Sequence, residues 1–335
     1  MERKKNILIT GIAGFVGYHL AKKLNKDFNI IGLDNLNSYY DTELKLDRLK
    51  LLGFKNDNIS HQLSSNKSIM FYKEDLKNKT SLEKIFKSHK LNYVVNLAAQ
   101  AGVRFSLNHP DQYIESNILG FYNLLEVIKK YKVKNFIYAS SSSVYGELNQ
   151  GKFEESFPSN NQISLYAATK KTNEILAHAY SNMNEINSVG LRFFTVYGPY
   201  GRPDMAYYKF TEKLLNGSKI KIYNYGKQRR DFTYVDDIVE GIKEIINSIG
   251  QKKLEPIYNI GFGRPVELKT LITSIEKNFN KKFKVDYIEK QPGDVTHTYA
   301  DISLMKRDFN YEPKFKFEDG IKLFCDWYKV KNNLY

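Results

Sequence analysis

The sequence predicts a doubly wound, parallel α/β sheet with a smaller α/β lobe, and three observations lead there. Short apolar runs alternate with helix-length stretches through the first half of the chain. The first apolar run, Ile7-Leu8-Ile9-Thr10, opens directly into Gly11-Ile12-Ala13-Gly14-Phe15-Val16-Gly17 and then a helix-like stretch, Tyr18–Leu24. After Phe194 the alternation gives way to loops rich in Gly, Pro and Tyr.

Strand, glycine-rich turn and helix in that order suit a dinucleotide. Glycines let the backbone turn sharply and approach a pyrophosphate, while a helix N-terminus supplies N–H donors and partial positive charge. The spacing Gly-x-x-Gly-x-x-Gly is looser than the Gly-x-Gly-x-x-Gly form, so its context carries the reading. That context continues with the strand Asn29–Leu33 and then Asp34, where adenosine ribose hydroxyls are expected. An anion there repels a 2′-phosphate and favours NAD over NADP. Phe15, Val16, Asn35 and Asn37 are expected to line the same cofactor loops. Further strands are predicted at 69–72, 93–97, 135–139 and 188–192, with helices at 82–89, 112–131 and 165–184. In such a sheet ligands bind beyond the carboxyl ends of the strands. Residues 1–194 form the predicted dinucleotide-binding domain, and the helix-then-strand stretch 235–260 returns to it. Residues 195–234 and 261–335 make a discontinuous substrate lobe.

Composition narrows the class. A chain of 335 residues with 42% hydrophobic content can bury a sizeable core. The single cysteine, Cys325, excludes an internal disulfide and a Cys-rich zinc cluster, and fits a reducing cytoplasm. No metal site is expected. The basic start Met-Glu-Arg-Lys-Lys mimics a secretory signal, but Gly11, Gly14 and Gly17 interrupt the apolar segment behind it. No apolar run reaches the roughly 18 residues of a membrane span, so neither membrane nor secretion is expected. The net charge of +14 is spread along the chain without a nucleic-acid motif. Such a field draws a phosphate-bearing small substrate instead.

Tyr166-Ala-Ala-Thr-Lys170 places a phenol and an ammonium four residues apart, which on a helix is one face. The pattern occurs three times, at Tyr18/Lys22, Tyr166/Lys170 and Tyr223/Lys227. Only Tyr166 opens a predicted helix downstream of a strand ending in Ser140-Ser141-Ser142-Ser143. A neighbouring cation favours the phenolate, and the positive nicotinamide ring pushes the same way. Tyr166 then serves as a base, with a serine hydroxyl holding the substrate hydroxyl as hydride leaves for the cofactor.

These residues resemble the extended short-chain dehydrogenase/reductases that modify nucleotide sugars, of Rossmann fold, and more narrowly the UDP-glucuronate 4-epimerase branch. The resemblance runs along essentially the whole chain. Its clearest carriers are Asn96–Arg104, Tyr138–Gly146, Arg192–Pro199, Gly201–Met205, Arg229–Asp237 and Gln291–Val295. It implies Ser141, Tyr166 and Lys170 as the catalytic set. Asp75 and Leu76 would flank the adenine, and Ala98 and Ala99 would line the cofactor cleft. Thr195 and Arg202 would face the sugar or its carboxylate, Arg230 and Asp294 would lie near the UDP, and Tyr223 close to the uracil. Arg104, Ser142 and Ser143 complete the implied substrate set. The implied reaction oxidises sugar carbon 4 with bound NAD and returns the hydride to the opposite face. A cytoplasmic homodimer built on helices 112–131 and 165–184, serving surface polysaccharide synthesis, is implied by the same likeness.

Two departures narrow the likeness, the first away from dehydration and the second towards the uronate branch. Sugar 4,6-dehydratases carry an Asp-Glu pair where this chain has Ser142 and Ser143, which cannot supply acid and base for water elimination. UDP-galactose-type epimerases commonly hold asparagine at the place of Thr195 and often arginine at that of Gln291. The competing readings are a UDP-glucose or UDP-N-acetylglucosamine epimerase, a UDP-glucuronate decarboxylase, and a non-catalytic NAD-sensing protein.

Overall fold

Five consecutive residues, Asn6–Thr10, form the first strand (β1), and four of them are buried. A strand buried on both faces belongs in the middle of a parallel sheet. The computed structural model describes residues 4–55, 60–65, 67–147, 151–289 and 296–334. In chain order the elements are α1 (Phe15–Leu24), β2 (Asn29–Asp34), α2 (Thr42–Leu51), β3 (His61–Leu63), β4 (Ile69–Lys73), α3 (Lys79–Ser88) and β5 (Tyr93–Asn96). There follow α4 (Phe105–Asn108), α5 (Pro110–Tyr113), a π-helical segment (Ile114–Leu119), α6 (Gly120–Lys130), β6 (Asn135–Ser141) and α7 (Leu165–Asn184). Next come β7 (Asn187–Phe193), β8 (Thr195–Tyr197), α8 (Ala206–Leu215), β9 (Ile220–Tyr223), β10 (Arg229–Tyr234), α9 (Val235–Ser248) and β11 (Ile257–Ile260). The chain closes with β12 (Pro265–Glu267), α10 (Leu268–Phe279), β13 (Val285–Ile288), α11 (Ser303–Phe309) and α12 (Phe317–Lys331).

Eight strands share one sheet in the order β11-β7-β6-β5-β1-β2-β4-β3. The chain winds outward from β1 through β2 to β4, then restarts at β5 on the other side, so the predicted doubly wound sheet is present. The strand order reverses between β1 and β5, where Ile7 pairs with Tyr93 and Thr10 with Asn96. Ligands of such sheets bind outside the carboxyl ends of the strands at that reversal. The sheet is not wholly parallel, because the short edge strand β3 runs antiparallel to β4. Leu82, Ile85, Phe86, Phe121, Leu124, Leu125, Ile128 and Phe136 belong to one apolar cluster between this sheet and its helices.

The chain divides into two compact units. The first comprises 1–144, 164–192 and 239–258; the second comprises 145–163, 193–238 and 259–335. In the second unit β10 lies between β8, parallel to it, and β12, antiparallel. A separate two-stranded pair joins β9 and β13. Its core is aromatic: Tyr197, Tyr207, Phe232, Tyr234, Phe317 and Phe324 are all buried together. Among the described residues no helix is long and apolar enough to cross a membrane.

Helix 165–184 stands as the sequence predicts, started by the Ser164 side chain, which accepts the Ala167 N–H at 3.1 Å. The helix predicted at 112–131 is instead broken into α5, a π-helical turn and α6. The widened turn frees Asn117 to reach sideways. Its side chain accepts the Gln100 N–H at 2.8 Å and donates to the Gln100 carbonyl and the Thr169 hydroxyl, each at 3.0 Å.

Candidate active site

The glycine loop leaves β1 at Gly11, whose φ of +71° lies in the left-handed region. A Cβ there would stand 2.8 Å from the Ala98 nitrogen, and one at Gly17 would stand 2.1 Å from the Gly11 carbonyl oxygen. Only glycine allows the β1 and β5 loops, and the start of α1, to close on one another this tightly. Helix α1 begins after Gly14 with no side chain capping it, which is the usual form of an anion-binding helix N-terminus. Ala98 is fixed from below, its N–H reaching the Thr10 hydroxyl at 3.2 Å while that hydroxyl donates to Asn96 at 2.6 Å.

Asp34 is buried at the end of β2. Its carboxylate accepts the Ala13 N–H at 3.1 Å and the Leu36 N–H at 2.9 Å. The acid expected at the ribose therefore also ties the glycine loop to β2, while each oxygen keeps a lone pair for a further donor. Asn35 donates to Asp75 at 2.8 Å and accepts from the Asn37 N–H at 3.1 Å. Four candidate cofactor residues, Asp34, Asn35, Asn37 and Asp75, thus form one connected edge, with Leu76 buried beside it.

Two residues of this edge escaped sequence reasoning. Lys45 donates to the Asn37 carbonyl and side chain at 2.7 and 2.9 Å. Burial lowers its pKa, the nearby Asp34 charge opposes that, and the Arg48 charge adds to it. Arg48, fully buried, donates to the Ala13 carbonyl at 2.8 Å and the Tyr40 hydroxyl at 2.6 Å. The two cations sit three residues apart on α2, on the face that the helix buries.

Tyr166 stands in the first turn of α7, half-buried, its ring edge-on to that of Tyr113 at 6.1 Å. Tyr113 is held by hydrogen bonds to the Ala101 and Gly102 carbonyls at 2.7 and 2.6 Å. One turn on, the buried Lys170 ammonium donates to the Ala139 carbonyl at 2.7 Å. Ala139 precedes Ser141 by two residues on β6. Ser141 is buried and donates to the Ser143 hydroxyl at 3.1 Å, while its oxygen accepts the Ser143 N–H at 3.2 Å. Ser142 and Ser143 open a short 3₁₀ turn and are half-buried. The rival pairs differ in setting: Lys22 is exposed on α1, and Tyr223 ends a strand, so that pair shares no helix face. Arg104 lies exposed at the start of α4.

The remaining candidates belong to the second unit. Thr195 begins β8, paired with Phe232 of β10. Arg202 is bidentate to Asp204 at 2.9 and 2.5 Å. Arg230, half-buried on β10, donates to the Arg229 carbonyl at 3.0 Å. Tyr223 ends β9 opposite Ile288. Asp294 and Gln291 lie outside the described residues.

Residues 7–261 match the model of the NAD dependent epimerase/dehydratase family. UDP-glucuronate 4-epimerase 4 of Arabidopsis thaliana is 41% identical over 96% of this chain and 75% of its own length. Among solved structures, UDP-glucuronic acid 4-epimerase from Bacillus cereus in complex with UDP-glucuronic acid and NAD is similar with a TM-score of 0.87. It is 33% identical and covers 97% of this chain and 99% of its own. UDP-glucose 4-epimerase from Thermotoga maritima, with UDP-glucose, is similar with a TM-score of 0.83 and 30% identity, covering 98% and 99%.

Proposed function

The chain belongs to the NAD dependent epimerase/dehydratase family, and from that premise we propose that it is a UDP-glucuronate 4-epimerase. The observation that carries the proposal is the placement of Lys170, buried one helical turn from Tyr166 and bound to the strand that ends in Ser141. An ammonium held there favours the phenolate of Tyr166, which takes the proton of the sugar 4-hydroxyl while Ser141 orients that hydroxyl. A bound NAD would supply the hydride acceptor for carbon 4 and the donor for its return. The glycine cradle and the Asp34 edge fit such a dinucleotide, because a Cβ would fill the first and the second presents acceptors suited to ribose hydroxyls.

Roles follow residue by residue. Gly11, Gly14, Phe15, Val16 and Gly17 take the pyrophosphate; Asp34, Asn35 and Asn37 the ribose; Asp75 and Leu76 the adenine; Ala98 and Ala99 the cleft wall. Ser142, Ser143 and Thr195 are assigned to the sugar carboxylate, and Arg104, Arg202, Tyr223, Arg230 and Asp294 to the rest of the UDP-sugar. With serines at 142 and 143 in place of an acid and a base, epimerisation is favoured over dehydration.

Purified protein given UDP-glucuronate without added NAD should form UDP-galacturonate, seen by NMR, and Tyr166→Phe should slow this by about 10²–10⁴-fold. Faster turnover of UDP-glucose or UDP-N-acetylglucosamine would overturn the uronate assignment. We further propose a homodimer. Phe121, Leu124, Leu125 and Ile128, candidates for a bundle face, are buried within the subunit's own core. The apolar residues left exposed on the same elements are Ile114, Leu119 and Tyr122, with Ile175 and Met183 on α7. A monomeric mass in sedimentation would refute that assembly. A cytoplasmic enzyme supplying a uronate for surface polysaccharide fits this reading.

A further inference from the structure

Four residues after Lys170, and on the same face of α7, lies Glu174. It is buried. One carboxylate oxygen accepts the Ser140 hydroxyl at 2.6 Å and the Arg192 Nε–H at 2.8 Å; the other accepts the second Arg192 nitrogen at 2.9 Å. Lys171, partly buried, approaches that second oxygen at 3.4 Å. Ser140 is on β6, next to Ser141, and Arg192 is on the neighbouring strand β7.

Helix and strand are therefore joined at two successive points. Lys170 grips the carbonyl of Ala139, and Glu174 grips the hydroxyl of Ser140. One such contact fixes a distance and leaves α7 free to pivot about it; a second, one turn on, restricts that pivot and sliding along β6. The bidentate fork of Arg192 in turn fixes the plane of the carboxylate, which a single-point cation cannot do. Stability alone is a poor reason to bury such a pair, since well-packed apolar residues often serve as well or better.

Building on the reading of Ser141, Tyr166 and Lys170 above, we propose that Glu174 is a positioning residue. Through Ser140, and with its own orientation set by Arg192, it fixes the Tyr166 phenol of α7 relative to the Ser141 hydroxyl of β6. Misplacing reacting groups by about 1 Å costs up to about 10²-fold in rate, so a lock on these two elements acts on kcat. It touches neither the substrate nor the cofactor, so KM and bound NAD should not change.

The test is Ser140→Ala in the purified holoenzyme, a change that removes one hydroxyl and leaves the ion pair in place. Expected are a fall in kcat of about tenfold, KM for UDP-glucuronate within about twofold, and unchanged bound NAD. In a Ser141→Ala background the same substitution should change kcat by less than about twofold, because its effect passes through that hydroxyl. Should Ser140→Ala fail to fold, Arg192→Lys, which keeps the charge and loses the fork, should show the same kcat-only loss. A kcat within twofold of wild type for the variant that folds, an undiminished effect of Ser140→Ala in the Ser141→Ala background, or a loss carried by KM or NAD content would overturn the proposal. If the wild type prefers another UDP-sugar, the arms are read with that sugar, so the substrate assignment fails without the positioning role. A wild type converting no UDP-sugar removes the basis of both.

Discussion

Glu174 in the first unit and Asp231 in the second are both buried among several donors, and the two respond in opposite ways. Burial raises the pKa of Glu174, but the Arg192 guanidinium and the Ser140 hydroxyl outweigh it, and the carboxyl ends below its ordinary value. Asp231, on β10, accepts the Phe262, Gly263 and Ala300 N–H groups at 2.8, 2.9 and 3.0 Å and the Thr233 hydroxyl at 3.5 Å. Those four donors are uncharged. Burial wins there, pushing the carboxyl up to about 6 although all four hydrogen bonds oppose it. At Asp231 the hydrogen bonds do not offset burial, whereas at Glu174 a counter-ion together with a hydroxyl does. Glu174 is thus built to stay charged beside the candidate catalytic pair, whereas Asp231 ties strand β10 to the 262–263 and 300 loops.

The sharpest way to break this contrast is Arg192→Met. It strands a buried anion and should destabilise the protein by about 3–5 kcal/mol in denaturant melts. Adding Glu174→Met should recover most of that loss, to within about 1–2 kcal/mol of wild type; no recovery would deny the ion pair its role. Acidification should separate the two sites next. Asp231 has its folded pKa raised from 3.8, so its stabilising term is full below about pH 4 and is lost as pH rises through about 6. The stability gap between wild type and Asp231→Asn should therefore widen by up to about 3 kcal/mol from pH 7 down to pH 4. For Glu174, whose folded pKa is depressed, the gap to Glu174→Gln should shrink as pH falls below its ordinary 4.5. Gaps moving in the same direction would remove the distinction. The smallest effect is Asp231→Asn at pH 7 itself. Its amide nitrogen faces N–H donors, at a cost of about 1–2 kcal/mol, partly offset by losing a buried charge.

Much of the first unit was legible because its strands are short buried runs and its glycine loop has a single geometric use. The same holds for α7: Ser164, an N-cap residue, stands just ahead of Leu165, and Tyr166 and Lys170 fall on one face. Helix α2 was not legible. In Leu44, Leu46, Leu49 and Leu51 the apolar residues nearly alternate, a strand-like rhythm, while the helix buries Leu44 and Leu49 together with Lys45 and Arg48. Charged side chains ordinarily face solvent, so the sequence does not mark that face as buried. The break in 112–131 was invisible for a similar reason, since the π turn serves Asn117, whose partners Gln100 and Thr169 are distant in sequence. In sequence alone Glu174 has the character of any surface acid on an amphipathic helix. Only the fold brings Arg192, on another strand, to its two oxygens.

The arrangement of β7 and β11 bears on how the chain is made. They run side by side, with the Gly190 N–H on the Pro256 carbonyl at 2.8 Å and the Phe194 N–H on that of Ile260 at 3.2 Å. A ribosome adding about 5–20 residues per second finishes β7 some seconds before its neighbour emerges. Throughout that interval the nascent polypeptide carries Val189 and Leu191 on a raw border, open to pairing with any passing extended chain. Translation that stalls within 194–256 leaves that border uncovered, so quick synthesis or a chaperone across this stretch protects it.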